Sequence, residues 1–156
     1  MDFVHDELVG GRSIRLLTIV DHFSRESVAI DVGHSLKAAD VIRTLSRLKV
    51  VRGLARIITV DNGSEFSGNE MDRWAHENGV QLHFIRPGKP TENAYIESFN
   101  GRLRDECLNA NIFYTIEEAK HVVEKWREDY NDWRPHSSLG NETPSSYAKR
   151  SDETED

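Results

Sequence analysis

One cysteine, Cys107, is the whole thiol content of the 156-residue chain. That excludes an internal disulfide and a cysteine-rich zinc site, and it fits a reducing compartment, so a cytoplasmic location is expected. Long apolar runs are also missing. The longest, around Leu16, Leu17 and Val20, is interrupted by Thr18, and the acidic N-terminus does not read as a signal peptide. No membrane association is expected. A basic excess is missing too: the net charge is −7, against the positive footprint of a self-sufficient DNA binder. Four of the acids lie in residues 151–156, which leaves −3 for the rest. The seven histidines form no HxxxH or HExxH pattern. His5, His83 and His136 read as satisfied surface or turn residues, and Cys107 sits on an apolar helix face with no base in view.

What is present is a single domain over residues 1–150, followed by an acidic tail, 151–156, expected to be disordered. A chain of this size buries roughly 68–70% of its unfolded surface. Three strands open it: residues 1–7, then 13–20 after Gly10-Gly11, then a run alternating Val28, Ile30 and Val32. Ser35 is placed to cap a helix over 36–50, and a buried strand over 55–60 stops at Asp61-Asn62-Gly63. A helix carrying Met71, Trp74 and Ala75 follows, then a strand with Val80, Leu82 and Phe84, and the loop 86–90. Two helices end the pattern. One, over 93–107, has the apolar face Ile96, Phe99, Leu103 and Cys107. The other is opened by Thr115 with Glu118 and buries Ala119, Val122, Trp126 and Tyr130. Hairpin-joined early strands with later crossover strands predict an α/β fold of RNase H-like type, a five-stranded mixed sheet flanked by helices.

Three acids stand out. Asp61 ends the interior strand and Glu97 lies in the helical pattern, with 35 residues between them, while Asp2 opens the first strand. Two divalent cations acting on one phosphate need carboxylates from separate rigid elements. Asp61 stands where ligand sites open in α/β sheets, at the carboxyl end of a strand, and Gly63 lets the loop turn tightly beside it. The plain alternative is a turn acid. Asn93, Glu97, Asn100 and Arg104 share one helix face, which is either a metal and phosphate surface or simply a solvated one. Asp2 gains weight only if its strand lies beside the Asp61 strand. Among the rivals, Asp6 and Glu92 are near candidate positions, Asp21 reads as a turn acid facing Arg25, and Glu65 as a supporting acid.

At this point the chain resembles a known family. Met1-Asp-Phe-Val, Val60-Asp-Asn-Gly-Ser-Glu-Phe66 and Phe84-Ile-Arg-Pro-Gly-Lys-Pro90 carry the likeness. So do the run from Asn93-Ala-Tyr-Ile-Glu-Ser-Phe-Asn-Gly to Leu108, and Tyr130-Asn-Asp-Trp-Arg-Pro-His-Ser-Ser-Leu-Gly140. They resemble the catalytic core of the DDE transposases of bacterial insertion sequences, relatives of retroviral integrases. The resemblance covers nearly the whole chain. It implies Asp2, Asp61 and Glu97 as a metal-binding catalytic triad and two Mg²⁺ (or Mn²⁺) ions, about 3.5–4 Å apart in two-metal sites. It implies DNA nicking by water and joining by the freed 3′-hydroxyl, with transposon ends and target DNA as partners. Lys89, Asn93, Asn100 and Arg104 are the candidate DNA contacts. Paired ends imply at least a dimer, acting at the bacterial nucleoid. The Arg134-Pro-His segment matches the family without a chemical role beyond packing. Relatives carry a helix-turn-helix region ahead of the core; this chain begins inside the first strand, so Asp2 is expected on a fraying terminus. The alternative function is therefore an inactive remnant that folds and associates.

Overall fold

Alternation of side chains across two early hairpins sets the architecture. The computed structural model describes residues 1–86 and 88–155, the side chains of Pro90, Glu92 and Glu155 excepted. Strands β1 (Asp2–Glu7), β2 (Ser13–Val20) and β3 (Ser27–Gly33) form an antiparallel meander, with Asp2 opposite Thr18 and Thr18 opposite Ile30. Gly10 and Gly11 both take positive φ, 96° and 88°, in the first turn, a region that side chains avoid. In the second turn the Asp21 carboxylate accepts from the backbone N–H of Phe23 at 2.7 Å and of Ser24 at 3.2 Å. Its ionic partner is Arg52 at 3.4 Å, from a different element, rather than the expected Arg25.

Parallel strands β4 (Ile57–Val60) and β5 (Gln81–Phe84) follow, joined through short α2 (Ser64–Ser67) and α3 (Asn69–Glu77). All five expected strands are present. Their hydrogen bonds divide them into the three-stranded and two-stranded ladders, bridged where the Met1 ammonium donates to the Thr59 carbonyl at 2.8 Å. Met1 is only 6% exposed, so the start of β1 is anchored and not frayed as expected.

Successive residues of β2 point to opposite faces, and the protein has a core on each. Leu16 packs with Val4, Ile30, Phe99 and Leu103, whereas Leu17 packs with Val41, Val60, Phe66 and Met71. Each such side chain contributes about 1.5–3 kcal/mol on full burial. The first core is covered by α4 (Ala94–Leu103), which runs on into a π-helical turn at Arg104–Leu108, and by α5 (Ile116–Trp133). The second is covered by α1 (Ala38–Arg52) and α3.

Several boundaries differ from expectation for local reasons. Helix α1 starts two residues later than the Ser35 reading: Asp40 accepts from the Lys37 backbone N–H at 2.9 Å and supplies the cap. Thr115 does cap α5, accepting from Glu118 N–H at 3.1 Å, but the Glu118 carboxylate reaches the Tyr114 N–H. Trp126 is only partly buried, stacked at 5.3 Å on Tyr130. Helix α6 (Pro144–Glu155) carries regular structure into the acidic segment expected to be irregular. Pro87 of the 86–90 loop and the side chain of Glu92, weighed above as a rival acid, lie outside the described residues. Among the described residues no helix is long and apolar enough to cross a membrane.

Candidate active site

Asp2 projects from β1 and Asp61 follows the last residue of β4, so the juxtaposition of these strands brings the two acids together. Asp61 lies near enough for its carboxylate to act on the ionisation of Asp2. Burial raises the Asp2 pKa above the ordinary carboxylate range. The Phe3 N–H opposes this by donating at 2.8 Å, while the nearby Asp61 carboxylate pushes it further up. Burial likewise lowers the Met1 ammonium to about 6, against the pull of Asp2 and Asp61.

Each carboxylate is held in place. Asn100 of α4 donates through Nδ2 to Asp2 Oδ2 at 3.1 Å, and Thr18 Oγ1 donates to Asn100 Oδ1 at 2.8 Å, fixing which end of the amide faces the acid. Thr18 is fully buried on β2. Asp61 Oδ1 accepts from the Gly63 N–H at 2.8 Å. A Cβ at Gly63 would stand 2.9 Å from that same oxygen, which is why glycine occupies this position. Asn62 closes the loop by donating to the Ile85 carbonyl at 3.1 Å.

Glu97 is exposed on the first turns of α4. It lines an open cleft of about 340 Å³ together with Asp2, Asn100 and Arg104. Three of the four residues expected on one helix face thus border the cleft. Arg104 donates to the His5 carbonyl at 2.9 Å and ties the helix to β1. Asn93 and the exposed Lys89 precede α4 and do not line the cleft. Asp61 is linked to Asp2 and is not part of the cleft wall, and among the described residues no three acid, histidine or cysteine side chains converge as a preassembled metal site.

The rival acids are engaged elsewhere. Glu65 pairs with Arg15 at 2.9 Å and Asp21 with Arg52, while Asp6 lies near Cys107, whose thiol is pushed up to about 11 by burial and by that acid. By contrast, no arginine or lysine pairs with Asp2, Asp61 or Glu97 among the described residues. This leaves a concentration of carboxylate oxygen without a side-chain cation, the hard donor set that Mg²⁺ or Mn²⁺ prefers.

One residue was missed in the sequence and another was misread there. Thr18 was visible only as a break in an apolar run, and a hydroxyl at an inward strand position is the signal that could have marked it. His136 is 9% exposed, not a surface residue, and its Nε2 has no hydrogen-bond partner.

The architecture is RNase H-like, as in solved retroviral integrase cores. The chain matches the HTLV-2 integrase catalytic core domain, solved in complex with magnesium in a trimeric form, with a TM-score of 0.71 at 15% identity, covering 94% of each chain. It matches a simian T-cell lymphotropic virus intasome, in complex with a PP2A regulatory subunit, with a TM-score of 0.79 at 18% identity over 94% of this chain and 51% of that one. Family models described as integrase core domain match residues 1–90 and 78–144. The chain belongs to the integrase core domain family. It is 47% identical over its full length to an uncharacterized 31.7 kDa protein of insertion element IS407 from Burkholderia multivorans, covering 56% of that protein. It is also 47% identical over 148 residues to an uncharacterized 39.2 kDa protein of IS476 from Xanthomonas euvesicatoria, covering 43% of it. The chain therefore spans about half the length of the curated relatives it matches.

Proposed function

We infer that this chain is the catalytic core of a bacterial insertion-sequence transposase, which nicks DNA and joins the freed end to a target by in-line phosphoryl transfer. The observation that carries the reading is the Asp2–Asp61 carboxyl pair, drawn from two strands and lacking a side-chain cation, beside a cleft that Asp2 shares with Glu97. The three acids would hold Mg²⁺ or Mn²⁺. When bound, such ions neutralise the carboxylates and polarise the phosphodiester by Lewis acidity. Everything else is positioning by the chain itself. Asn100, locked by Thr18, keeps Asp2 aimed into the cleft. The Gly63 N–H holds Asp61, and α4 presents Glu97 to solvent, where a DNA strand can reach it. Arg104 stands at the rim, with Lys89 and Asn93 on the approach to α4, as contacts for phosphates. With water as nucleophile the reaction nicks; with a 3′-hydroxyl one phosphodiester is exchanged for another and the strands join.

Transposon ends act in pairs, so the working assembly contains at least two copies on DNA in the bacterial cytoplasm, at the nucleoid. The net charge of −7 supports a reading in which much of the DNA affinity comes from outside this core. A second reading, a folded association module without catalysis, is favoured by one observation: Glu97 does not close on the aspartate pair as a three-acid cluster. A branched oligonucleotide mimicking a joined product separates the two, since it needs no end recognition. Resolution with Mn²⁺ that disappears in Asp61→Asn supports the core reading. Absence of resolution in a folded, Mn²⁺-binding chain favours the module.

A further inference from the structure

Helix α4 turns a second set of side chains away from the acidic cleft. Ser98 and Arg102 lie about 100° and 140° round the helix from Glu97. They face a cavity of about 150 Å³ shared with Arg25 of the β2–β3 turn, Tyr95, and His136 and Ser138 beyond α5. That volume admits several waters or one small oxyanion.

His136 also lines this cavity. Its ring meets Tyr130 edge-on at 5.1 Å, and its backbone N–H donates to the Glu142 carbonyl at 2.9 Å. The residue is nine-tenths buried, yet Nε2 has no partner. An orphaned polar atom in a native interior calls for a ligand or an ordered water.

Two of the lining residues are arginines. Arg25 lies over the Tyr95 ring, 3.7 Å from its centroid, on a backbone with φ of 63° that side-chain-bearing residues rarely adopt. Arg102 is exposed and has no carboxylate partner among the described residues. Arg134, just behind, is engaged by Glu106 at 2.5 Å. Among the described residues no acid lines the cavity, in a chain whose net charge is −7. Two guanidinium groups, two serine hydroxyls and a ring nitrogen are a donor set for a tetrahedral oxyanion.

We propose that this cavity binds a backbone phosphate of DNA, gripped by Arg25, Arg102 and His136 Nε2. The choice of occupant rests on the function proposed above. A strand held here crosses the same helix that presents Glu97, so the contact fixes where the strand lies relative to the acids. Burial, and then Arg102, Arg134 and Arg25, push the His136 pKa down, and a bound anion offsets the arginine part of that effect.

The test follows the ¹⁵N resonance of His136 Nε2 in metal-free protein, titrated first with inorganic phosphate and then with a short DNA duplex. A saturable shift with both is expected. Arg102→Gln should abolish it and lower the slope of log affinity against log salt for the duplex by about 1. Arg47→Gln, on the exposed pair with Asp31 at 3.0 Å, should leave both unchanged. No shift, or one that survives Arg102→Gln, overturns the site. A shift with free phosphate alone overturns DNA as its occupant. Failure of Mn²⁺-dependent resolution is read in a separate assay and does not move this titration, so the two readings fail independently.

Discussion

Replacing Gly63 with alanine adds one methyl group and tests whether the Asp61 carboxylate must stand where it does. The new Cβ would lie 2.9 Å from Asp61 Oδ1 and 3.4 Å from Glu65 Oε2. To restore ordinary contact near 3.4 Å the Asp61 carboxylate must retreat by about half an ångström, stretching its 2.8 Å bond from the Gly63 N–H. Gly63 has φ of −60°, so alanine fits the backbone and the effect is confined to this approach. Loss of one hydrogen bond to a charged group costs about 1.5–3 kcal/mol at most, and the partly exposed loop can recover some of it from water. Catalytic geometry is less forgiving: sites must hold within about 0.5 Å, and a 1 Å error can cost about 10²-fold. Gly63→Ala should therefore unfold within about 2 kcal/mol of the parent in urea, while Mn²⁺-dependent resolution of branched DNA falls by roughly 10- to 10²-fold. Parental activity in a folded Gly63→Ala chain would refute the reasoning that Asp61 is held in place for chemistry.

Four further outcomes are expected. Because the Asp2 pKa is raised by burial and then by Asp61, ionised Asp2 disfavours the folded state; this penalty is absent below the unfolded value of 3.8 and grows from there until pH passes the folded one. Asp2→Asn should therefore be more stable than the parent at pH 7 in chelator, with the gap closing as pH falls towards 3, as checked by thermal melts. Gly101 sits inside α4, and a Cβ there would meet nothing within 4 Å, so Gly101→Ala should stabilise the chain by about 1 kcal/mol in urea unfolding. Asn131 accepts from the Ser27 N–H at 2.8 Å and donates to its carbonyl at 2.9 Å; Arg127 also serves that carbonyl, so Asn131→Ala orphans the N–H and should cost about 1–3 kcal/mol by the same measurement. Phe113, 2% exposed in the first core, should cost about 3–5 kcal/mol as Phe113→Ala.

Patterns that repeat along the chain were legible in the sequence, and pairings between distant residues were not. Alternation in β3 and the Gly10-Gly11 turn are local and gave the early strands directly. Asp61 could be placed because a strand end and a tight glycine turn coincide there. The Asn100 clamp on Asp2 joins residues 98 apart, and the Ser27–Asn131 pair joins residues 104 apart, so no window of sequence contains either. The burial of His136 was not legible because it comes from Tyr130 and the bridge to Glu142, a contact that only the folded turn creates. The cap of α1 went to Asp40 over Ser35 because a carboxylate in the first turn can reach back to the Lys37 N–H. Helix α6 was hidden because Asp152, Glu153 and Glu155 in its last turns read as a solvated tail, a composition that fits an exposed helix equally well.

The central claim is that the carboxylates of two strands and one helix act together on a phosphodiester. Joining of a pre-nicked DNA end to a target strand, measured with Mn²⁺ in the chain and in Glu97→Gln, tests it most directly. Glu97 is exposed and supports no core packing, so the variant keeps its fold. Joining by the parent is expected, with a loss of at least about 10²-fold in Glu97→Gln at unchanged melting temperature. Equal joining by the two chains would contradict it.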